Sequence, residues 1–339
     1  MIRFGMTTEA IAELTGLAIA HPEIIMMPVT IKTPFRLSKS NFLGKGLMSL
    51  FCLYFSFATP LLAQDKTVFQ DIQRTGLLKV AVREDAVPFG YRDLNNNWTG
   101  ICLDFMALLK QEVIRKLDRP TILVKLFKST LFNRFDLVDD GVVYLECGPN
   151  SIRANLDYKN ITFSEPFLLT GTQLLIRAQD KSKINLNSSL KGITIGVLRN
   201  TTNLQFIQEK YPEATIQEFQ GVTGRLRGVQ ALRQEKIDAF ASDGILLLGE
   251  ALLQNLALGT DYLMIPKIPL NCEAYGLILP NHDPEWKALV DETIKNYAAR
   301  QLYQKWIGPV LPEIESAIQY CEQQKTTPLE NNQLNDQLE

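Results

Sequence analysis

The chain is poor in histidine, with only His21 and His282 in 339 residues, so imidazole-based general acid and base chemistry has almost nothing to draw on. Its five cysteines form no C-x-x-C pair, and with so few histidines the usual tetrahedral zinc sites lack ligands. Neither sign of charge is in excess: 35 basic side chains face 37 acidic ones, which excludes a strongly basic nucleic-acid-binding surface. A membrane-spanning run is missing as well, because the apolar stretch at 47 to 58 (LMSLFCLYFSFA) is too short to cross a bilayer. There is no P-loop, no G-x-G-x-x-G after a strand, and no Ser/His/Asp or Cys/His arrangement. With 46% hydrophobic and 21% charged residues, the chain can bury a core and is not disordered; its length predicts two domains.

The apolar stretch fits the central region of a signal peptide. Lys32, Arg36, Lys39 and Lys45 precede it without an acid, and cleavage after Ala58 or Ala63 would place the mature start at Thr59 or Gln64. An uncleaved anchor or a buried helix is the other reading, and Met27 or Met48 is an alternative start. Cys52 lies inside the run and does not fit a lipoprotein cysteine. Export would place Cys102, Cys147, Cys272 and Cys321 in an oxidising compartment, where four cysteines allow three pairings. Cys272 with Cys321 would staple the C-terminal region to the body and leave Cys102 with Cys147. Four unpaired buried thiols remain the alternative.

Downstream, strands and helices alternate. LLKVAV (77 to 82), a helix over 103 to 117 with Leu103, Met106, Leu109, Val113 and Leu117 on one face, TILVKLF (121 to 127) and VVYLEC (142 to 147) make one α/β unit. ITIGVL (193 to 198), helices near 203 to 210 and 225 to 235, and IDAFAS (237 to 242) make a second. Two long extended stretches, 167 to 177 and 262 to 280, bracket this second unit, and a helix is expected from Glu285 to Trp306. The pattern predicts an α/β fold of two lobes joined by two crossing strands around a ligand cleft. The expected division is a leader at 1–63, a discontinuous first lobe at 64–168 and 269–320, a second lobe at 169–268, and a polar tail at 321–339.

Candidate binding residues collect at strand ends. Arg83 follows LLKVAV and precedes the apolar turn VPFGY, a place from which a guanidinium can grip a carboxylate through paired hydrogen bonds. Asn150, Ser151 and Arg153 follow VVYLEC; Thr201 and Thr202 follow ITIGVL just before a helix, where hydroxyls and free N–H groups suit an anion. Asp243 follows IDAFAS and supplies an acid for an ammonium. Arg225, in GRLRG, adds charge to the cleft or is a solvated helix start. Each group alone is as consistent with a cap or a turn. Jointly, anion grips plus one acid are the inventory for a zwitterion.

In order and spacing, TGLLKVAVREDAVPFGYRD, WTGICLDF, ITFSEPFLLTGTQLLIR, LKGITIGVLRNTT, EKIDAFASDGILLLGEAL and AYGLILPNHDPEWKALVDETI resemble the periplasmic solute-binding proteins (family 3) of polar amino acid ABC transporters. These share their fold with the ligand-binding domains of ionotropic glutamate receptors. VREDAVPFGY, VKLFKSTLFNRF, YLECG, TGTQLLIR, SDGILLLGE and CEAYGLIL are most similar to the glutamate/aspartate-binding branch. The resemblance implies that Arg83 and Arg134 face a side-chain carboxylate, Thr201 and Thr202 help hold the α-carboxylate, and Asp243 takes the α-ammonium. Arg225 stands where that branch has a histidine.

The chain also departs from the pattern. The arginine expected six residues before the Phe-Ser pair is replaced by Asp157, and Arg153 lies ten before Phe163; Leu131 stands where the acidic branch has serine. Either Arg153 clamps the ligand through a rebuilt loop, or the ligand is held differently. The implied protein is a monomeric periplasmic receptor that captures an acidic amino acid by lobe closure, needs no cofactor or nucleic acid, and delivers its ligand to an inner-membrane ABC permease complex. Two other functions fit the fold. One is a dehydratase resembling cyclohexadienyl dehydratase, with Glu84 or Glu146 as general acid; the other is a sensor for a separate signalling partner.

Overall fold

The computed structural model describes residues 67–326 apart from positions 94 and 155, all within one unit of the chain. The expected signal peptide with its cleavage sites and the tail beyond residue 326 lie outside the described residues. The described chain opens with α1 (Val68–Thr75) and β1 (Leu77–Arg83). A small ribbon of β2 (Asp85–Ala86), β3 (Gly90–Arg92) and β4 (Trp98–Thr99) leads into α2 (Ile101–Leu117). β5 (Leu123–Ser129), the short α3 (Asp136–Asp139), β6 (Leu145–Cys147) and β7 (Ile161–Phe163) follow.

The chain then crosses through β8 (Leu168–Thr170) into β9 (Thr172–Arg177), β10 (Thr194–Leu198) and α4 (Thr202–Lys210). Next come β11 (Thr215–Phe219), α5 (Gly224–Arg233), β12 (Ala239–Asp243), α6 (Gly244–Leu253) and β13 (Tyr262–Ile265). It returns through β14 (Glu273–Tyr275), adds β15 (Ile278–Pro280), and runs on into α7 (Pro284–Lys295), α8 (Tyr297–Trp306) and α9 (Leu311–Thr326).

Two five-stranded sheets result. The first has the order β5-β1-β6-β15-β7 and the second β11-β10-β12-β9-β13, while β8 and β14 pair antiparallel as the crossings between them. In the first sheet β1 pairs parallel with β5 and β6; in the second β10 pairs parallel with β11 and β12. The C-terminal ends of these parallel strands face the gap between the sheets, the usual place for a ligand in an α/β fold. The expected two-lobe α/β class with crossing strands therefore stands.

Packing explains why the sequence takes this form. In β9, Leu174 and Ile176 enter one hydrophobic cluster and Leu175 the other, so a two-residue alternation buries both faces of the second sheet. The first core gathers Val80, Val82, Met106, Leu109 and Trp286, bringing α2 and α7 onto β1. Gly171 separates the first crossing from β9, and a Cβ there would lie 1.8 Å from the Asn271 carbonyl oxygen on the returning crossing. Any larger residue would force the two crossings apart.

Three local expectations change. The helix expected from Glu285 to Trp306 breaks at Asn296, whose extended backbone (ψ 165°) leaves the helix while its side chain accepts a hydrogen bond from the Ala299 N–H and caps α8. β11, at the edge of its sheet, carries little strand signal in the sequence, because TIQEF exposes most of its side chains and lacks a continuous apolar run. α9 carries helix as far as Thr326, into the segment expected as polar tail.

The four cysteines pair as Cys102–Cys147 and Cys272–Cys321, with Cα separations of 5.7 and 5.5 Å. The first pair ties the start of α2 to the end of β6 beneath the cleft. The second ties α9 to the returning crossing, one residue before β14.

Candidate binding cleft

Arg83 is the last residue of β1 and is 1% exposed. The side chain that meets it comes from two residues further along: Nε and Nη2 donate to the two carboxylate oxygens of Asp85 at 2.6 and 2.8 Å. Nη1 is buried without a partner. Burial works against the Arg83 charge, but the Asp85 carboxylate outweighs it and leaves the guanidinium pKa raised. Burial likewise opposes the charge on Asp85, and Arg83 together with Arg225 holds that carboxyl below its ordinary value.

Arg134 enters the cleft from the turn before α3. Its guanidinium stacks on Phe135, 4.8 Å from the ring centroid, and Nη2 reaches the Asn200 carbonyl of the second lobe at 3.4 Å. Nε has no partner. Burial, then the positive charges of Arg83 and Arg153, lower its pKa to about 10. Arg153 is exposed at the cleft margin and stacks on the same ring, 5.4 Å from its centroid. Phe135 is thus a shared platform that holds two cations at the cleft.

Asn150 has a different job from its neighbours. It is fully buried, and its amide nitrogen donates to Glu146 at 2.5 Å, where the Ser129 hydroxyl also donates at 2.6 Å. Burial pushes the Glu146 carboxyl up against those two bonds and the charges of Arg83 and Arg134. Asn150 and Glu146 therefore support the arginine wall from below.

On the second lobe the local rule is strand end followed by helix. Thr201 caps α4: its hydroxyl accepts from the Leu204 N–H at 3.2 Å and donates to the Leu198 carbonyl at 2.7 Å, which fills its donor capacity. Thr202 and Asn203 are the residues that face inward. Thr202 Oγ1 donates to Glu273 at 2.9 Å, and Asn203 Nδ2 donates to Asp243 at 2.9 Å and to the Thr172 hydroxyl at the same distance. Asp243 ends β12 at the head of α6 and also accepts from the Tyr275 hydroxyl. Burial raises the Asp243 carboxyl against the bonds from Tyr275 and Asn203 and the charge of Arg225. Arg225, in the first turn of α5, donates to Ser242 at 2.6 Å, leaves Nε buried and unpartnered, and has its pKa lowered by burial.

Arg83, Arg134, Ser151, Arg153, Thr201, Thr202, Arg225 and Asp243 line one cleft together with Leu131, Pro149, Asn203 and Leu246. The cavity at its centre is about 20 Å³, room for roughly one water. That is too small for any organic ligand unless the walls move apart. The sequence-predicted set lacks Asp85, Glu273 and Tyr275, which bond to lining residues, and Pro149, Asn203 and Leu246, which line the cleft themselves. Asp85 had a signal in its spacing, two after Arg83, and Asn203 in its place after the paired threonines; Glu273 and Tyr275 sit in CEAYG, where an acid interrupts an apolar strand.

Residues 78–309 match the family model for bacterial extracellular solute-binding proteins, family 3. The chain belongs to this family. Among relatives, the binding protein is 31% identical to the glutamate/aspartate import solute-binding protein of Salmonella typhimurium over 71% of this chain and 80% of that one. Its fold is shared by the solved ancestral amino acid-binding protein described as a precursor of cyclohexadienyl dehydratase, with a TM-score of 0.59, 21% identity, and coverage of 71% of this chain and 99% of the other. It is shared too by the ligand-binding core of GluR0 from Nostoc punctiforme solved with L-glutamate, with a TM-score of 0.55, 24% identity, and coverage of 68% and 98%.

Proposed function

We propose that this protein is an extracytoplasmic receptor that captures an acidic amino acid between its lobes and delivers it to an ABC permease. The observation that carries the reading is the set of buried, unpartnered guanidinium nitrogens: Arg83 Nη1, Arg134 Nε and Arg225 Nε, all on residues that line the cleft. A buried donor without an acceptor costs about 1–3 kcal/mol, more when charged, so an anion that engages these groups stabilises the closed form. Arg83 and Arg134 then read the side-chain carboxylate. Ser151, Thr202 and the head of α4, with Arg153 at the margin, take the α-carboxylate, and Asp243 takes the α-ammonium. Thr201 and Asn150 act as supports.

The name of the Salmonella relative favours glutamate or aspartate as ligand, and the family description favours an extracytoplasmic location; in this reading the receptor acts as a monomer in the periplasm after signal-peptide removal. Binding without turnover is favoured over dehydration. Glu84 is engaged by Trp98, Arg92 and Lys128, and Glu146 is sealed beneath Ser129 and Asn150. Neither carboxyl is placed to protonate a leaving group in the cleft.

A thermal-shift panel of the common amino acids tests the reading. Glutamate or aspartate at about 100 times its Kd stabilises the fold by roughly 2.7 kcal/mol, a shift of a few degrees. A panel in which neutral or basic amino acids stabilise and acidic ones do not would reject the acidic ligand, and turnover of prephenate or arogenate would reject a pure receptor.

A further inference from the structure

Ser151 and Thr202 belong to opposite walls of the cleft, yet both hydroxyls donate to the same oxygen, Oε2 of Glu273. The two hydroxyl oxygens lie 3.4 Å apart. Each has one proton to donate. Glu273 itself is the first residue of β14, held from behind by the neighbouring Cys272–Cys321 disulfide, so its carboxylate is fixed on the returning crossing. A ligand α-carboxylate that uses Ser151 and Thr202 needs the protons that Glu273 already holds.

We infer that Glu273 is a built-in competitor of the ligand's α-carboxylate, and that an amino acid is taken up together with one proton that neutralises Glu273. The proton comes from solvent and adds to a Glu273 carboxylate oxygen. The neutral carboxyl becomes a donor, and the Ser151 and Thr202 hydroxyls turn toward the ligand. This rests on the receptor reading above but not on the ligand's being acidic, because every α-amino acid carries the α-carboxylate.

The surroundings of Glu273 agree. Asp243 faces it from the end of β12; Tyr275, on its own strand, donates to Asp243; and Arg225 of α5 acts on Asp243 and Tyr275. Asn271 on the crossing donates to Oε1 at 3.4 Å. On the far side the space is lined by uncharged residues, among them Ile152, Leu169, and Cys321 and Gln324 of α9. Burial first, then the Asp243 charge, push the Glu273 carboxyl up to about 7 despite the bonds from Ser151, Thr202 and Asn271. A second carboxylate brought beside it disfavours its ionised form further.

The test is calorimetry of L-glutamate and of L-glutamine binding to the mature chain, at pH 6 to 8.5, in buffers of different ionisation enthalpy. Near pH 8 the expected uptake is close to one proton per ligand, with affinity falling about tenfold per pH unit above about 7. In Glu273→Gln the uptake and the slope both disappear. Glutamate binding with a flat pH profile and no proton uptake, or uptake undiminished in the variant, overturns the inference while leaving the acidic reading standing. Glutamine binding with proton uptake while glutamate fails to bind does the reverse.

A ligand-free measurement stands beside it. The raised carboxyl stabilises the fold fully below its ordinary value of 4.5, and this is lost as pH rises through about 7. The wild type should therefore lose stability relative to Glu273→Gln across that window, and a constant difference would contradict the assignment.

Discussion

The two walls of the cleft are built by different rules. The first-lobe wall is cationic: Arg134 and Arg153 stack on Phe135, Arg83 and Arg134 lie beside a buried Glu146, and one nitrogen each of Arg83 and Arg134 stays unpaired. Asn203, Asp243, Tyr275, Thr202, Ser151 and Glu273 form the other side, bonded to one another in two short chains before any ligand arrives. Within that group Ser151 comes from the first lobe, Glu273 and Tyr275 from the returning crossing, and Thr202, Asn203 and Asp243 from the second lobe. The covalent bracing differs too. Both disulfides among the described residues lie in the first lobe or on the returning crossing. The contrast suggests a division of labour: unpaired arginines read what varies among amino acids, and a preformed network receives what all of them share.

Breaking the preformed side should have the largest effect. Asp243→Ala removes the carboxylate proposed to meet the ammonium and strands Asn203 and Tyr275, at an expected cost of about 2–5 kcal/mol, which abolishes measurable binding by calorimetry for every amino acid tested. Arg134→Ala, on the opposite wall, is expected to weaken glutamate by roughly 10- to 100-fold and glutamine by much less. Equal losses would show that the first-lobe wall does not read the side chain.

The bracing gives a third contrast. Reducing the disulfides is expected to lower unfolding stability by about 2–4 kcal/mol for each structural bridge, with hydrogen exchange rising first in α2, β6 and α9 and only later in β9 to β12. Simultaneous loss of protection in both sheets would erase the contrast. Thr201→Ala should have the smallest effect. It removes a helix cap at a cost of about 1 kcal/mol in unfolding while affinity changes by only a few-fold, because the hydroxyl is committed to Leu204 and Leu198.

How far this was legible in the sequence follows from the range of each interaction. Arg83, Thr202 and Asp243 could be found because each sits at the end of an apolar run with a turn or helix after it, and that pattern is local. The two-lobe plan was legible for a similar reason: the extended segments around Gly171 and before Tyr275 stand apart from the alternating units. Glu273 was not, since its meaning depends on Ser151 and Thr202 arriving from distant parts of the chain. Asp85 was close by, but spacing alone does not reveal that it takes the paired edge of Arg83. The break at Asn296 hid inside continuous helical periodicity, and β11 hid because an edge strand with exposed side chains carries little apolar signal. For Thr201 and Asn150 the strand-end pattern does not distinguish a cap or a support from a group facing the cleft; their bonds to Leu204, Leu198 and Glu146 do.

The unpaired arginine nitrogens make one claim above the rest: the cleft closes on a second negative charge. Isothermal calorimetry of L-glutamate against L-glutamine, on the same protein at the same pH, isolates that charge because the two ligands are nearly isosteric. Glutamate is expected to bind at least tenfold more tightly, about 1.4 kcal/mol or more. Equal affinities, or a preference for glutamine, would contradict the account.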